Sequence, residues 1–204
     1  MTYVHLFLAW LDSALLCSIV VLWFGKRFKL ERNHLVFAAL PLFLVLLVPV
    51  RGLSLFMYAW SIIGDLSMTS KTYLIAWLLY RLGGPVVTDM KEIRSVMRAI
   101  SIVGLVFYPL SLGISQLDPY ATGYSASIPI ILTVVLAAYG LRKGFYVLTT
   151  AMLLALWGYL LGLMVSNNLF DYLLDPILFL YALGFTCVTL VRKPRAKNTA
   201  GRTT

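Results

Sequence analysis

Apolar residues along this chain come in runs long enough to cross a lipid bilayer, separated by short polar stretches rich in Lys and Arg. A helix needs roughly 17–25 apolar residues to traverse the hydrocarbon, and runs near that length recur. The first covers residues 3–24 and is followed by a basic loop holding Lys26, Arg27, Lys29 and Arg32. The second covers 35–50, with Pro41 and Pro49 inside it. Residues 51–81 are divided: an apolar stretch at 53–63, the polar Gly64-Asp65-Leu66-Ser67-Met68-Thr69-Ser70-Lys71, then a further apolar stretch. A single straight helix here would be too long and would hold its charges at the bilayer centre. The pattern instead predicts a short re-entrant or interfacial segment at 53–63 and a spanning helix at 66–82. Non-helical backbone at that depth needs cover from protein or a water-filled cavity.

In residues 83–98, Val87, Ile93, Val96 and Met97 alternate with Lys91, Arg94 and Arg98, the pattern of an amphipathic helix lying beside anionic lipid. Further spans fall at 99–115, 126–141, 145–165 and 176–191, with polar loops at 116–125 and 166–175. The expectation is an all-α, polytopic integral membrane bundle of about seven transmembrane helices, or six plus a re-entrant or interfacial segment. Residues 1–191 would form one domain, and the basic tail 192–204 would be disordered.

Composition agrees. The 204 residues are 61% hydrophobic and 12% charged, and a soluble domain carries about a quarter charged residues. The mean hydropathy is +0.89, so lipid must solvate much of the surface. Charge then orients the bundle. The clusters within 26–32, 81–98, 142–143 and 192–202 fall on one side of the map and leave only Arg51 and Lys71 on the other. Such a bias marks the cytoplasmic side. It places the N-terminus outside, the C-terminus in the cytoplasm and the chain in a cell (inner) membrane. The net charge of +9 is thereby explained without nucleic acid, whose binding surfaces are stripes on soluble folds.

The N-terminus has no cationic segment before its apolar run and no small-residue cleavage pattern after it, so a cleaved signal peptide is not expected. Cys17 and Cys187 sit in apolar runs as small hydrophobes, and no disulfide framework follows from them. With only His5 and His34 available, neither a histidine-rich metal site nor a cofactor is expected.

Candidate chemistry rests on ionisable residues outside the basic clusters. Asp12 lies inside the first span, where a charge is expensive and marks a functional site or a buried partner; Arg51 and Lys71 are its possible cations. Asp65, Asp118, Asp171 and Asp175 fall at the outer face with Arg51 and Lys71, beside Tyr120, Tyr124, Asn167, Asn168 and Tyr172. These could form a polar cup for a headgroup, sugar or partner loop. Equally, Asp118-Pro119 and Asp175-Pro176 are turn and helix-start signals. Residues 64–72 look like a phosphate-binding loop but lack its second glycine and place the lysine one residue late. Thr122-Gly123-Tyr124 is too short a match to a potassium filter. Ala151, Ala155, Gly158 and Gly162 form a small-residue stripe that lets another helix approach closely, expected mainly within this bundle.

The chain carries no nucleophile motif of the hydrolase or zinc-protease type. Three functions stay open. The first is a small non-catalytic membrane subunit that anchors or regulates a partner acting on envelope lipid or glycan, in contact with membrane lipid and another membrane protein. The second is a carrier or substrate-binding component using Asp12, Asp65 and Lys71. The third is a lipid-active enzyme using the outer aspartates.

Overall fold

Helices follow the apolar runs, and their ends are set by side chains that cap them. A computed structural model describes residues 3–27, 44–45, 48–81, 88–114, 116–125 and 127–199. The chain is mostly helical. Helix α1 is Tyr3–Arg27; strands β1 (Pro49–Val50) and β2 (Leu53–Ser54) form a small antiparallel hairpin; α2 is Leu55–Ile63 and α3 is Met68–Arg81. Helix α4 (Met90–Pro109) opens into a wide π-helical turn at Leu110–Ile114. Pro109 lacks an amide donor, so the backbone ladder slips there. Short α5 (Thr122–Ser125), then α6 (Ser127–Lys143), α7 (Tyr146–Leu160), short α8 (Leu169–Leu173) and α9 (Pro176–Thr199) complete the chain.

Among the described residues, two helices are long and apolar enough to cross a membrane, Tyr3–Val21 within α1 and Met90–Ile114; Tyr146–Leu160 and Pro176–Val191 are apolar but shorter. The break expected in 51–81 is present. Helix α2 has nine residues, about 14 Å at 1.5 Å per residue, and residues 64–67 separate it from α3. Most of the 35–50 run lies outside the described residues. Its last residues turn into the hairpin, whose two-residue loop holds Arg51 (φ 51°) and Gly52 (φ 88°), the twist favoured in tight hairpins. Of the amphipathic helix expected at 83–98, residues 83–87 lie outside the described residues, and from Met90 the segment is the first half of α4 rather than a separate helix. Asp89 caps that helix by accepting the Lys91 amide at 3.2 Å. Helix α9 continues beyond Val191 to Thr199.

Helices α4 and α9, α6 and α7, and α3 and α7 pair antiparallel. Tyr108 stacks near Phe179 and Ser101 bonds to Thr186, which sets α4 against α9. In the α6–α7 hairpin a Cβ on Gly140 would lie 2.6 Å from Thr149 Oγ1. Met68 meets Gly158 and Tyr73 reaches the start of α7, so α3 also opposes α7. His5, near the start of α1, contacts the Gly162 carbonyl beyond the end of α7 at 3.1 Å. One end of the bundle therefore holds Arg81, Lys91, Arg94, Arg142 and Lys143, and the other holds Asp65, Asp118, Asp171 and Asp175.

Ala151 and Ala155 are fully buried in the core, with Met152, Leu148, Val96 and Ala137 around the first and Met68, Leu169 and Tyr172 around the second. Gly158 continues the stripe, since a Cβ there would sit 3.1 Å from Met68 and 3.2 Å from Tyr172. Gly162 does not belong to it. Helix α7 stops at Leu160, and Gly162 takes φ 60° while its N–H bonds Tyr159 O at 3.1 Å and Leu163 N–H bonds Gly158 O at 2.9 Å. That pair of bonds is a Schellman ending, which favours glycine for its left-handed backbone. Outside the core, large apolar side chains stay exposed, among them Ile102, Val106, Ile131, Val135, Trp157, Leu180 and Val191.

Candidate functional site

The break between α2 and α3 is where the polar groups at bundle depth gather. Its backbone has N–H groups with no helical partner, and in a buried setting each needs an acceptor. Asp12, from the middle of α1, supplies one: its Oδ2 accepts the Leu66 N–H at 3.1 Å. Its Oδ1 faces Lys71 Nζ at 3.2 Å, and both side chains are almost completely buried. Lys71 Nζ also donates to the Leu66 carbonyl. The ion pair and both polar groups of Leu66 thus form one closed unit.

Asp175 supplies the second acceptor. Its Oδ2 takes the Ser67 N–H at 3.0 Å, the Ser67 hydroxyl at 2.7 Å and the Ser70 hydroxyl. Ser67 in turn caps α3, its Oγ accepting the Ser70 N–H at 3.1 Å. The other oxygen of Asp175 accepts the Leu178 N–H at 2.8 Å and caps α9, with Pro176 at the first helical position, where a missing N–H costs nothing. One carboxylate therefore holds two helix N-termini from sequence positions more than a hundred residues apart.

No protein-family model matches the chain, and no curated protein or solved structure matches it either. The residues themselves carry the functional reading.

The other candidates separate. Arg51 is exposed at the hairpin turn, and Lys71 is the cation paired with Asp12. Asp65 accepts the Trp60 indole N–H at 2.9 Å. Asp118 caps its own turn, accepting Tyr120 N–H at 3.0 Å and Ala121 N–H at 3.3 Å. Asp171 accepts the Tyr120 hydroxyl at 2.8 Å and the Ser166 hydroxyl. Asn168 donates to the Tyr120 carbonyl at 2.9 Å, so the 116–125 and 163–175 loops are stitched together. Burial, with the bond to Asp171 second, holds the Tyr120 phenol above the usual tyrosine range; burial also raises Tyr172.

Beside this stitched floor lies an open cleft of about 360 Å³ lined by Tyr124, Tyr159, Leu160, Ser166 and Asn167. At the opposite end, sequence reasoning missed Glu92. It is buried, its Oε1 accepts the Leu148 N–H at 2.7 Å and the Tyr73 hydroxyl at 3.3 Å, and it thereby caps α7 from a neighbouring helix. The signal was available: Phe145, at the start of α7, makes no side-chain cap of its own.

Proposed function

We propose that this chain is a small, non-catalytic, multi-pass subunit of an inner membrane, with seven crossings, an outer N-terminus and a cytoplasmic C-terminus. It would anchor or orient a membrane partner acting on envelope lipid or glycan. The observation that carries the reading is how the buried charges are committed. Asp12, Lys71, Asp175 and Glu92 each hold a helix end or a helix break. A carrier would need the Asp12–Lys71 pair free to exchange partners, and an enzyme would need an outer carboxylate free to move a proton. Here the Asp12–Lys71 pair and Asp175 hold the break before α3 and the start of α9, and Asp65, Asp118 and Asp171 accept bonds from nearby donors.

Three further features support the membrane setting. Basic residues gather at one end, as cytoplasmic ends do. Apolar side chains stay exposed between the ends, as lipid solvation allows. Helices α1 and α3 run the same way, so a crossing must return between them, the role proposed for the 35–50 run. Helices as short as α3, at 14 residues or about 21 Å, are accommodated by local thinning of the bilayer.

Native mass spectrometry of the tagged chain, extracted gently from its own membrane, tests the reading. A stoichiometric membrane-protein partner is expected. A lone chain turning over or releasing a bound lipid or solute would overturn it.

A further inference from the structure

We propose that the cleft at the acidic end of the bundle binds an uncharged glycosyl or polyol group, either a lipid headgroup or a free sugar. Its lining combines two phenol rings, one leucine, one hydroxyl and one amide. Aromatic faces cover the C–H side of a sugar ring, and an amide and hydroxyls pair with its hydroxyl groups in either direction. Anionic headgroups call for Arg or Lys forks, and neither lines the cleft among the described residues. Asp171 accepts the hydroxyl of the lining residue Ser166, and its negative charge disfavours phosphate further.

The cleft is held open by groups behind it. The Tyr172 hydroxyl accepts the Met164 N–H at 3.0 Å and donates to the Ser166 carbonyl at 3.1 Å. Ser166 Oγ also accepts the Asn168 N–H at 3.0 Å. The rings of Tyr124 and Tyr159 are braced edge-on by Tyr120 and Tyr172, each with centroids 5.7 Å apart. Such bracing lowers the ordering cost of binding, and about 360 Å³ lies in the range of small-molecule sites. Sugar binding here is independent of the subunit reading, because a chain that co-purifies with a partner could still leave this cleft empty.

The full chain in phosphatidylcholine nanodiscs is titrated with monoglucosyldiacylglycerol, with phosphatidylglycerol as the anionic control and methyl β-glucoside as the soluble competitor. Retention is read by native mass spectrometry. The glucolipid is expected to be retained over phosphatidylglycerol. Asn167→Ala, an exposed position, should bind about tenfold more weakly, the loss of one pairing amide; Tyr124→Ala should be at least as weak. Tyr181→Ala, an equally exposed tyrosine on α9, should bind as the unaltered chain does. Competition by methyl glucoside would identify the sugar itself as the ligand, and retention without competition would identify the lipid headgroup. Retention of neither sugar probe, equal retention of phosphatidylglycerol, or binding indifferent to Asn167→Ala and Tyr124→Ala would overturn the proposal.

Discussion

Removing the positive charge from the Asp12–Lys71 pair gives the sharpest test of its structural role. Side-chain exposures of 3% and 4% leave water almost no access, so in Lys71→Met the Asp12 carboxylate keeps only the Leu66 N–H and the Leu66 carbonyl loses its donor. Breaking a buried pair from one side costs about 3–5 kcal/mol. That is roughly two to four powers of ten in the folding equilibrium, and a large part of the 5–15 kcal/mol or so typical of a domain. Replacing both partners by apolar side chains, as in Asp12→Leu with Lys71→Met, removes the desolvation penalty along with the attraction. It should return to within about 2 kcal/mol of the unaltered chain. Unfolding by SDS in mixed micelles, followed by tryptophan fluorescence, gives all four corners of the cycle. The coupling should be several kcal/mol in favour of the double variant. A Lys71→Met cost below about 1 kcal/mol, or a double variant as unstable as the two single losses added, would refute the reasoning. The same double variant should still hold its partner, whereas a carrier built on this pair would lose its function.

At the opposite end, Glu92→Ala strips the acceptor from the start of α7 and should cost about 2–3 kcal/mol as a lost charge-assisted bond in a buried place, with Tyr73→Phe costing less; the same SDS titration reads both. Gly158→Leu should unfold the bundle or separate α3 from α7, because Met68 and Tyr172 already crowd that position. Gly162→Asn should cost under about 1 kcal/mol, since Asn tolerates the left-handed backbone, and equal damage at the two glycines in a thermal-melt comparison would contradict their different roles. Because the folded Tyr120 phenol titrates above its ordinary value near 10, its contribution is complete below pH 10 and is lost as pH rises further. The melting temperature should therefore fall above pH 10, and Tyr120→Phe should flatten that fall; an identical pH profile would show that Tyr120 does not titrate with unfolding.

Local patterns made much of the fold legible. The polar interruption at 64–71 announces a broken helix because a bilayer-length helix tolerates few charges, and the Asp175-Pro176 pair announces a helix start because its chemistry acts within three residues. Long-range pairing was not legible. Nothing in spacing tells whether Asp12 meets Arg51 or Lys71; that depends on Arg51 turning outward in a two-residue hairpin. Asp175 also reaches Ser67 and Ser70 across more than a hundred residues, and no local signal encodes that contact. Glu92 falls in the 83–98 segment, whose pattern predicts a separate helix beside the membrane with a new span beginning after it. A single helix from Met90 turns that residue inward. Gly162 fits the four-residue spacing of a packing stripe, and only the point at which α7 stops reassigns it to a terminus.

These placements share one physical cause. A helix end within a low-dielectric bundle exposes N–H groups that neither water nor lipid can satisfy. A buried carboxylate is equally costly when unpaired. Putting the two together removes both penalties, and the helix dipole adds to the attraction. Asp175 does this for α3 and α9 at once, Glu92 does it for α7, and Asp12 does it for the break before α3 with Lys71 balancing its charge. The buried carboxylates Asp12, Glu92 and Asp175, with Lys71, are then accounted for by the helix ends and the break they satisfy, without calling on a substrate. What the buried charges do not explain is the neutral, braced cleft at the acidic end. Of its side chains, Ser166 caps a backbone N–H and Tyr159 packs on the core, while Tyr124 and Asn167 stay exposed, so ligand recognition should be sought there rather than at the ion pair.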